Sequence, residues 1–224
     1  MPSHHNATRG FGLIELIVVI VILGIIFLMT LKGAALIAPM RAVVVAQQIE
    51  NYRAAVQRYQ AEYSALPGDD PAAATRWGRT EAIYNMGNAV VSFAGNGKIN
   101  GLFDDVANAA GEQFVAWRDL RLGGFIEGDR ELVGQSSRPE NAFNGVYGFA
   151  EDNLGLNQVM CLTKVPGREA QLIDKRLDDG TISTGRLRAT SRWDPVEAKN
   201  HFPKPDDAAY DPEKTYIICL PSMP

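Results

Sequence analysis

The sequence predicts an α+β protein, with a long N-terminal transmembrane and amphipathic helix packed on a globular head that holds a small antiparallel sheet. Three observations predict it. Residues 9–31 read RGFGLIELIVVIVILGIIFLMTL, a charged stub followed by a nearly unbroken apolar run. Beyond that run the apolar residues recur three and four apart, the period of one helix face. Further on, short runs of strand composition alternate with glycine- and proline-rich turns.

The apolar run comes first. From Phe11 to Leu31, at about 1.5 Å per residue, it makes a helix of roughly 32 Å, which matches a bilayer core of about 30 Å. Glu15 is the anomaly inside it. An ionised carboxylate in lipid costs on the order of 2.5 kcal/mol or more, so a lone glutamate near the start of a span implies a partner, and a positive charge created by processing is the obvious one. Arg9 precedes the run and Lys32 follows it; the weight on Arg9 puts the amino-terminal stub in the cytoplasm and the head outside.

After Pro39 the pattern resumes with Val43, Val44, Ala46, Ile49, Tyr52, Val56, Tyr59 and Tyr63 on one face. Gln47, Glu50, Arg53, Gln57 and Arg58 lie between them, so the segment is amphipathic, and it ends before Leu66-Pro67-Gly68. Gly33 and Pro39 are the positions where so long a helix could bend. The remainder, residues 65–224, is one head domain. The first 64 residues hold five Lys or Arg and three Asp or Glu, so the chain's charge of −4 becomes −6 for the head. An acidic head is a poor surface for nucleic acid, whose binding rests on neutralising phosphates.

Within the head, residues 67–105 read as a long loop with short helical pieces, punctuated by Gly68, Gly78, Gly87, Gly95, Gly97 and Gly101. Phe114, Val115, Trp117, Leu120 and Leu122, stopped by Gly123-Gly124, predict a helix over 112–122. Strand composition marks 146–150, 158–165, 185–189 and 215–220. A short helix over 169–177 ends at Asp178-Asp179-Gly180.

Gly10, Phe11 and Glu15, set in GFGLIELIVVIVILGII, carry a family signature: a leader ending in glycine, then phenylalanine, then a glutamate four residues later in an apolar helix. On these residues the chain resembles the type IV prepilin and type II secretion pseudopilin family. A secretory signal peptide or a plain signal anchor would also be apolar, but neither accounts for Gly-Phe followed by this glutamate. The resemblance implies a leader over residues 1–10, removed by a prepilin peptidase between Gly10 and Phe11, and methylation of the new Phe11 amine. It implies an assembly helix over 11–32, extended amphipathically over 33–64, in which Glu15 neutralises the amine of a neighbouring subunit. The protein would sit in the bacterial inner membrane as a single-pass chain, head on the periplasmic side. It would then join other pilin or pseudopilin subunits, alike or different, in a pilus or pseudopilus. A fainter resemblance, to larger minor-pilin-like heads, covers IDKRLDDGTISTGRLRA.

Cys161 and Cys219 both fall in the exported head, where a pair reads as a disulfide or, failing that, as two reduced core thiols. The resemblance favours the bond, since pilin heads are often stapled near their carboxyl terminus.

No enzymatic activity is expected. After leader removal one histidine, His201, is left, and nucleophile-elbow, Walker A and Gly-x-Gly-x-x-Gly sequences are lacking. No cofactor is expected either, with calcium the one cation that the oxygen-rich loops would suit, through Asn96, Asn100, Asp104 and Asp105 or through Asp178 and Asp179. Asn-Gly and Asp-Gly pairs are equally ordinary turn chemistry. Arg186, Arg188 and Arg192 form a small basic patch, with Arg186 and Arg188 on one face of a strand. Trp77, Trp117 and Trp193 read as packing residues. The functional expectation is a structural subunit, a minor pilin or pseudopilin; the alternative is a tip-located ligand-binding pilin, an adhesin or DNA-uptake receptor.

Overall fold

The computed structural model describes residues 12–78, 84–86, 89–91, 95–103, 111–192 and 209–223, with side chains for all of these except 30–38, 84–86 and 89–91. The chain divides into two compact units, Met1–Met40 and Arg41–Pro224.

The first unit holds the opening part of helix α1 (Leu13–Tyr63), in which Pro39 is accommodated without ending the helix. Its described apolar side chains, Leu13 through Met29, are all exposed. Among the described residues no helix is long and apolar enough to cross a membrane. Those side chains stop at Met29, short of the 11–31 stretch on which the transmembrane expectation rests.

The second unit is built around the rest of α1. Ala42, Val45, Ile49, Val56 and Tyr59 face the core, with Tyr52 and Tyr63 at its margin. This corrects the start of the expected stripe. Counting back from Ile49 by four and seven gives Val45 and Ala42, whereas Val43 and Val44 lie on the far side and are 45% and 51% exposed. Trp117 and Leu120 of α3 (Glu112–Leu122) pack on the same cluster, and Tyr52 meets the Trp117 ring edge-on at 5.1 Å. Gly123 follows α3 as expected.

Between α1 and α3 the expected loop contains more order than its sequence suggests. A short helix α2 (Ala73–Trp77) ends on Gly78 in the left-handed conformation. Strands β1 (Tyr84–Met86) and β2 (Ala89–Val91) pair antiparallel. Three-residue strands give too few alternations to register as a period of two.

The main sheet is antiparallel, in the order β3 (Tyr147–Asn153), β4 (Leu156–Pro166), β6 (Thr215–Pro221), β5 (Arg188–Thr190). Alternation assigns its two faces. Tyr147, Phe149, Met160, Leu162, Ile218 and Leu220 point to the helices, whereas Ala150, Val159, Cys161, Ile217 and Cys219 form a second cluster with Phe103. Gly148 is required on that second face, because a Cβ there would lie 2.5 Å from the Phe103 ring. The β3–β4 hairpin turns on Leu154 and Gly155 at φ of 50° and 73°, the pair of positive angles a two-residue turn needs, and the Arg188 guanidinium donates to both of their carbonyls. Helix α4 (Gly167–Leu177) follows β4, two residues earlier than its expected start.

Candidate functional site

The two features singled out by the sequence fall in different units. In the first unit, Glu15 sits in the opening turn of α1, where its Oε2 accepts the backbone N–H of Gly12 at 3.0 Å. A carboxylate here also complements the positive end of the helix dipole. Glu15 therefore reaches back toward the amino-terminal end of the helix, one residue from Phe11. Gly10 and Phe11 themselves lie outside the described residues. Around Glu15 the helix surface is apolar on every side and exposed, as Leu13 at 79% and Ile14 at 75% illustrate. Such a surface is stable only when covered.

In the second unit, Cys161 and Cys219 sit opposite each other on β4 and β6 and are joined in a disulfide, both fully buried. The pairing is a product of register: the same alternation that buries Val159 and Ile217 sends both Cβ atoms to one face.

The oxygen-rich loops are organised around protein groups. Asp69, buried, accepts backbone N–H groups from Gly95 at 2.6 Å, Asn96 at 3.0 Å and Gly97 at 2.6 Å. Gly95 and Gly97 have φ of 92° and 82°, which turns successive N–H groups inward onto that carboxylate. The Asn96 amide donates to Asn100 Oδ1, and the Asn100 amide donates to Glu151 Oε2. Asn96 and Asn100 therefore serve to close the loop, while Asp104 and Asp105 lie outside the described residues. Asp69 lies in the loop expected over 67–105, and its role there comes from the fold. Its signal in the sequence is an acidic pair, Asp69-Asp70, placed immediately after the helix-ending Leu66-Pro67-Gly68.

Asp70 anchors a second network, accepting the Tyr59 hydroxyl at 2.9 Å and the Arg76 guanidinium at 2.6 Å. Burial pushes its carboxyl upward, but the hydrogen bonds from Arg76, Tyr59 and the Ala72 amide outweigh that and hold it below its ordinary value.

Among the described residues, Asp174, Asp178 and Asp179 are the carboxylates grouped closely enough to hold a cation, their oxygens lying within 4.8 Å of one another. Asp174 adds a member that the sequence reading lacked. Most of these oxygens already accept hydrogen bonds: Asp174 from Gly180 and the Tyr210 hydroxyl, Asp178 from the Arg186 and Leu187 amides, Asp179 from Thr181 and Thr184. The cluster therefore fastens the loop between α4 and β5. Burial pushes the Asp174 carboxyl up to about 6 and that of Glu112, at the start of α3, up to about 7.

The basic patch is not a strand face. Arg186 precedes β5, and Arg188, half-buried, is committed to the β3–β4 turn. Trp117 is core, Trp77 is partly buried against it, and Trp193 lies outside the described residues.

Residues 5–31 match the prokaryotic N-terminal methylation motif. No curated protein and no solved structure matches the chain. The chain thus carries the signature of type IV prepilins and pseudopilins, which implies processing by prepilin peptidase and assembly with other pilin subunits. The match ends at Leu31, before the second unit begins.

Proposed function

We propose that this type IV pilin- or pseudopilin-like chain is a structural subunit, a minor pilin or pseudopilin, of a type IV pilus or type II secretion filament. Cleavage falls between Gly10 and Phe11, and the Phe11 amine is methylated. Residues 11–32 hold the precursor in the inner membrane with the head on the periplasmic side, and Glu15 neutralises the Phe11 amine of a neighbour during assembly. The observation that carries this reading is the methylation motif over residues 5–31, on a helix whose apolar side chains from Leu13 to Met29 are exposed. A helix surface of that kind is compatible with lipid before assembly and with neighbouring helices after it. The carboxylate at Glu15 supplies the reason to move from one to the other, because pairing removes a costly charge from lipid.

Intact-mass measurement of the membrane form tests the processing. It is expected to show loss of residues 1–10 and one added methyl group. A mature terminus after residue 33 would instead mean ordinary secretion and would overturn the reading. Glu15→Val is expected to insert normally and to enter filaments poorly.

A further inference from the structure

We propose that the loop over residues 95–101 is a pH-sensitive latch, closed while the Glu112 carboxyl is protonated and loosened when it ionises. The latch lies wholly in the second unit and is independent of the filament-subunit reading above.

Carboxylates from three elements fasten this loop. Asp69, in the connection after α1, accepts the amides of Gly95, Asn96 and Gly97. Glu112, in the first turn of α3, accepts the Asn100 amide through Oε2 at 2.7 Å. Glu151 of β3 accepts the Asn100 side-chain amide at 3.1 Å and pairs with Lys98, also at 3.1 Å. The loop's apolar hold is slight by comparison. Ile99 is its one buried hydrophobic side chain, and the Ile99 amide donates to Gln158 Oε1 at 2.8 Å. Helix α3, which buries Phe114, Trp117 and Leu120, and β3, which is paired in the sheet, are held far more firmly, so the loop is the part free to yield.

The three carboxylates differ in what balances their charge. Asp69 has three amides and Glu151 has Lys98, whereas Glu112 is 8% exposed and, among the described residues, its carboxylate accepts one N–H and no cation. The charged groups that act on it, Asp69 and Glu151, are both negative. Other charges around it are turned to different partners: Lys98 to Glu151, Asp152 of β3 to Glu151 and Lys98, and Asp119 of α3 to the Gly68 amide. Arg138 lies over the Phe103 and Phe114 rings.

Burial pushes the Glu112 carboxyl up, to about 7; the Asn100 amide pulls against this, while Asp69 and Glu151 add to it. Neutral, the carboxyl still accepts the Asn100 amide through its carbonyl oxygen. Ionised, it is a desolvated charge beside two of its own sign, and moving the loop aside is what returns it to water. The closed form is therefore favoured fully below about 4.5, and that preference is lost as pH rises through about 7. Opening carries the exposed Asn96, Gly97 and Lys98 away from the head and uncovers Ile99.

Hydrogen exchange read by mass spectrometry on the full chain in detergent micelles, corrected for the intrinsic pH dependence of exchange, tests the latch. Protection of residues 95–101 is expected to fall roughly tenfold between about pH 5 and 8, since each unit of pKa shift released by opening is a factor of ten, and to level off above about 7. At every pH it is expected to stay below the protection of residues 216–220 in β6, which report opening of the whole head. Glu112→Gln, which keeps the shape and cannot ionise, is expected to hold at high pH the loop protection it has at low pH. Loop protection that ignores pH, or that falls as much in Glu112→Gln as in the wild type, overturns the proposal. Equal protection of 95–101 and 216–220 also overturns it, because the loop would then open only with the whole head. Should Glu112→Gln fail to fold, the wild-type curve decides: a fall that continues undiminished well above pH 7 removes Glu112 as the group responsible.

Discussion

Removing the disulfide is the perturbation whose size follows most directly from the fold. Cys161 and Cys219 are 58 residues apart, and closing a loop of that length contributes roughly 4 kcal/mol in the chain-entropy model. The bridge ties β4 to β6, the two central strands of the four-stranded sheet, so its loss acts on the cooperative core. Other contacts resist the loss: Arg53 donates to the Pro221 carbonyl, and Ser222 donates through both its amide and its hydroxyl to the Gln158 carbonyl. These hold the folded state together but do not restrict the unfolded chain, which is where the entropic term arises. Replacing both residues, Cys161→Ala with Cys219→Ala, avoids a lone thiol and leaves only small cavities. For a domain of this size each kcal/mol shifts the Tm by about 2–4 °C, so the double variant is expected to melt about 10 °C lower. Thermal unfolding of the full chain in detergent, read by circular dichroism without reductant, is the assay. A drop of under about 3 °C, with no free thiol in the wild type by peptide mapping, would refute the assignment of the stability to loop closure.

Three further outcomes follow from particular contacts. Glu112 has a folded pKa of about 7 against an ordinary 4.5, so its ionisation works against the fold. The stability tied to its neutral form is fully present below about 4.5 and lost as pH rises through 7, and Glu112→Gln should flatten that loss in urea titrations between pH 5 and 8; an unchanged slope would remove Glu112 as the cause. Asp70 has the opposite sign: its lowered pKa makes its contribution present above the ordinary 3.8 and lost as pH falls through the folded value. Asp70→Ala, which strands the buried Tyr59 hydroxyl, should cost roughly 1–3 kcal/mol at neutral pH, while Tyr59→Phe should cost less. Gly148→Ala forces a methyl against the Phe103 ring and should cost about 1–3 kcal/mol by denaturant titration; a neutral result would show that Phe103 can move aside.

Much of this protein is written in local sequence. The apolar run with its single Glu15 marks the amino-terminal methylation motif without any fold, because a charge inside an apolar helix is anomalous whatever surrounds it. Helix α3 was legible from the spacing of Phe114, Trp117 and Leu120 and the glycines after it, and the strands of the main sheet were legible to within a few residues, since period and punctuation are local properties. Tertiary structure decided the rest. Which residues of α1 face the core is fixed by what packs on them, so Ala42 and Val45 turn inward and the equally apolar Val43 and Val44 do not. Asp69 is a loop organiser because residues 95–97, distant in sequence, fold their amides over it. Arg188 belongs to a hairpin 34 residues away. A residue's type and spacing set what it can do alone, but burial and partners come from segments that meet only when the chain closes, and these decide whether a charge is exposed, paired or buried.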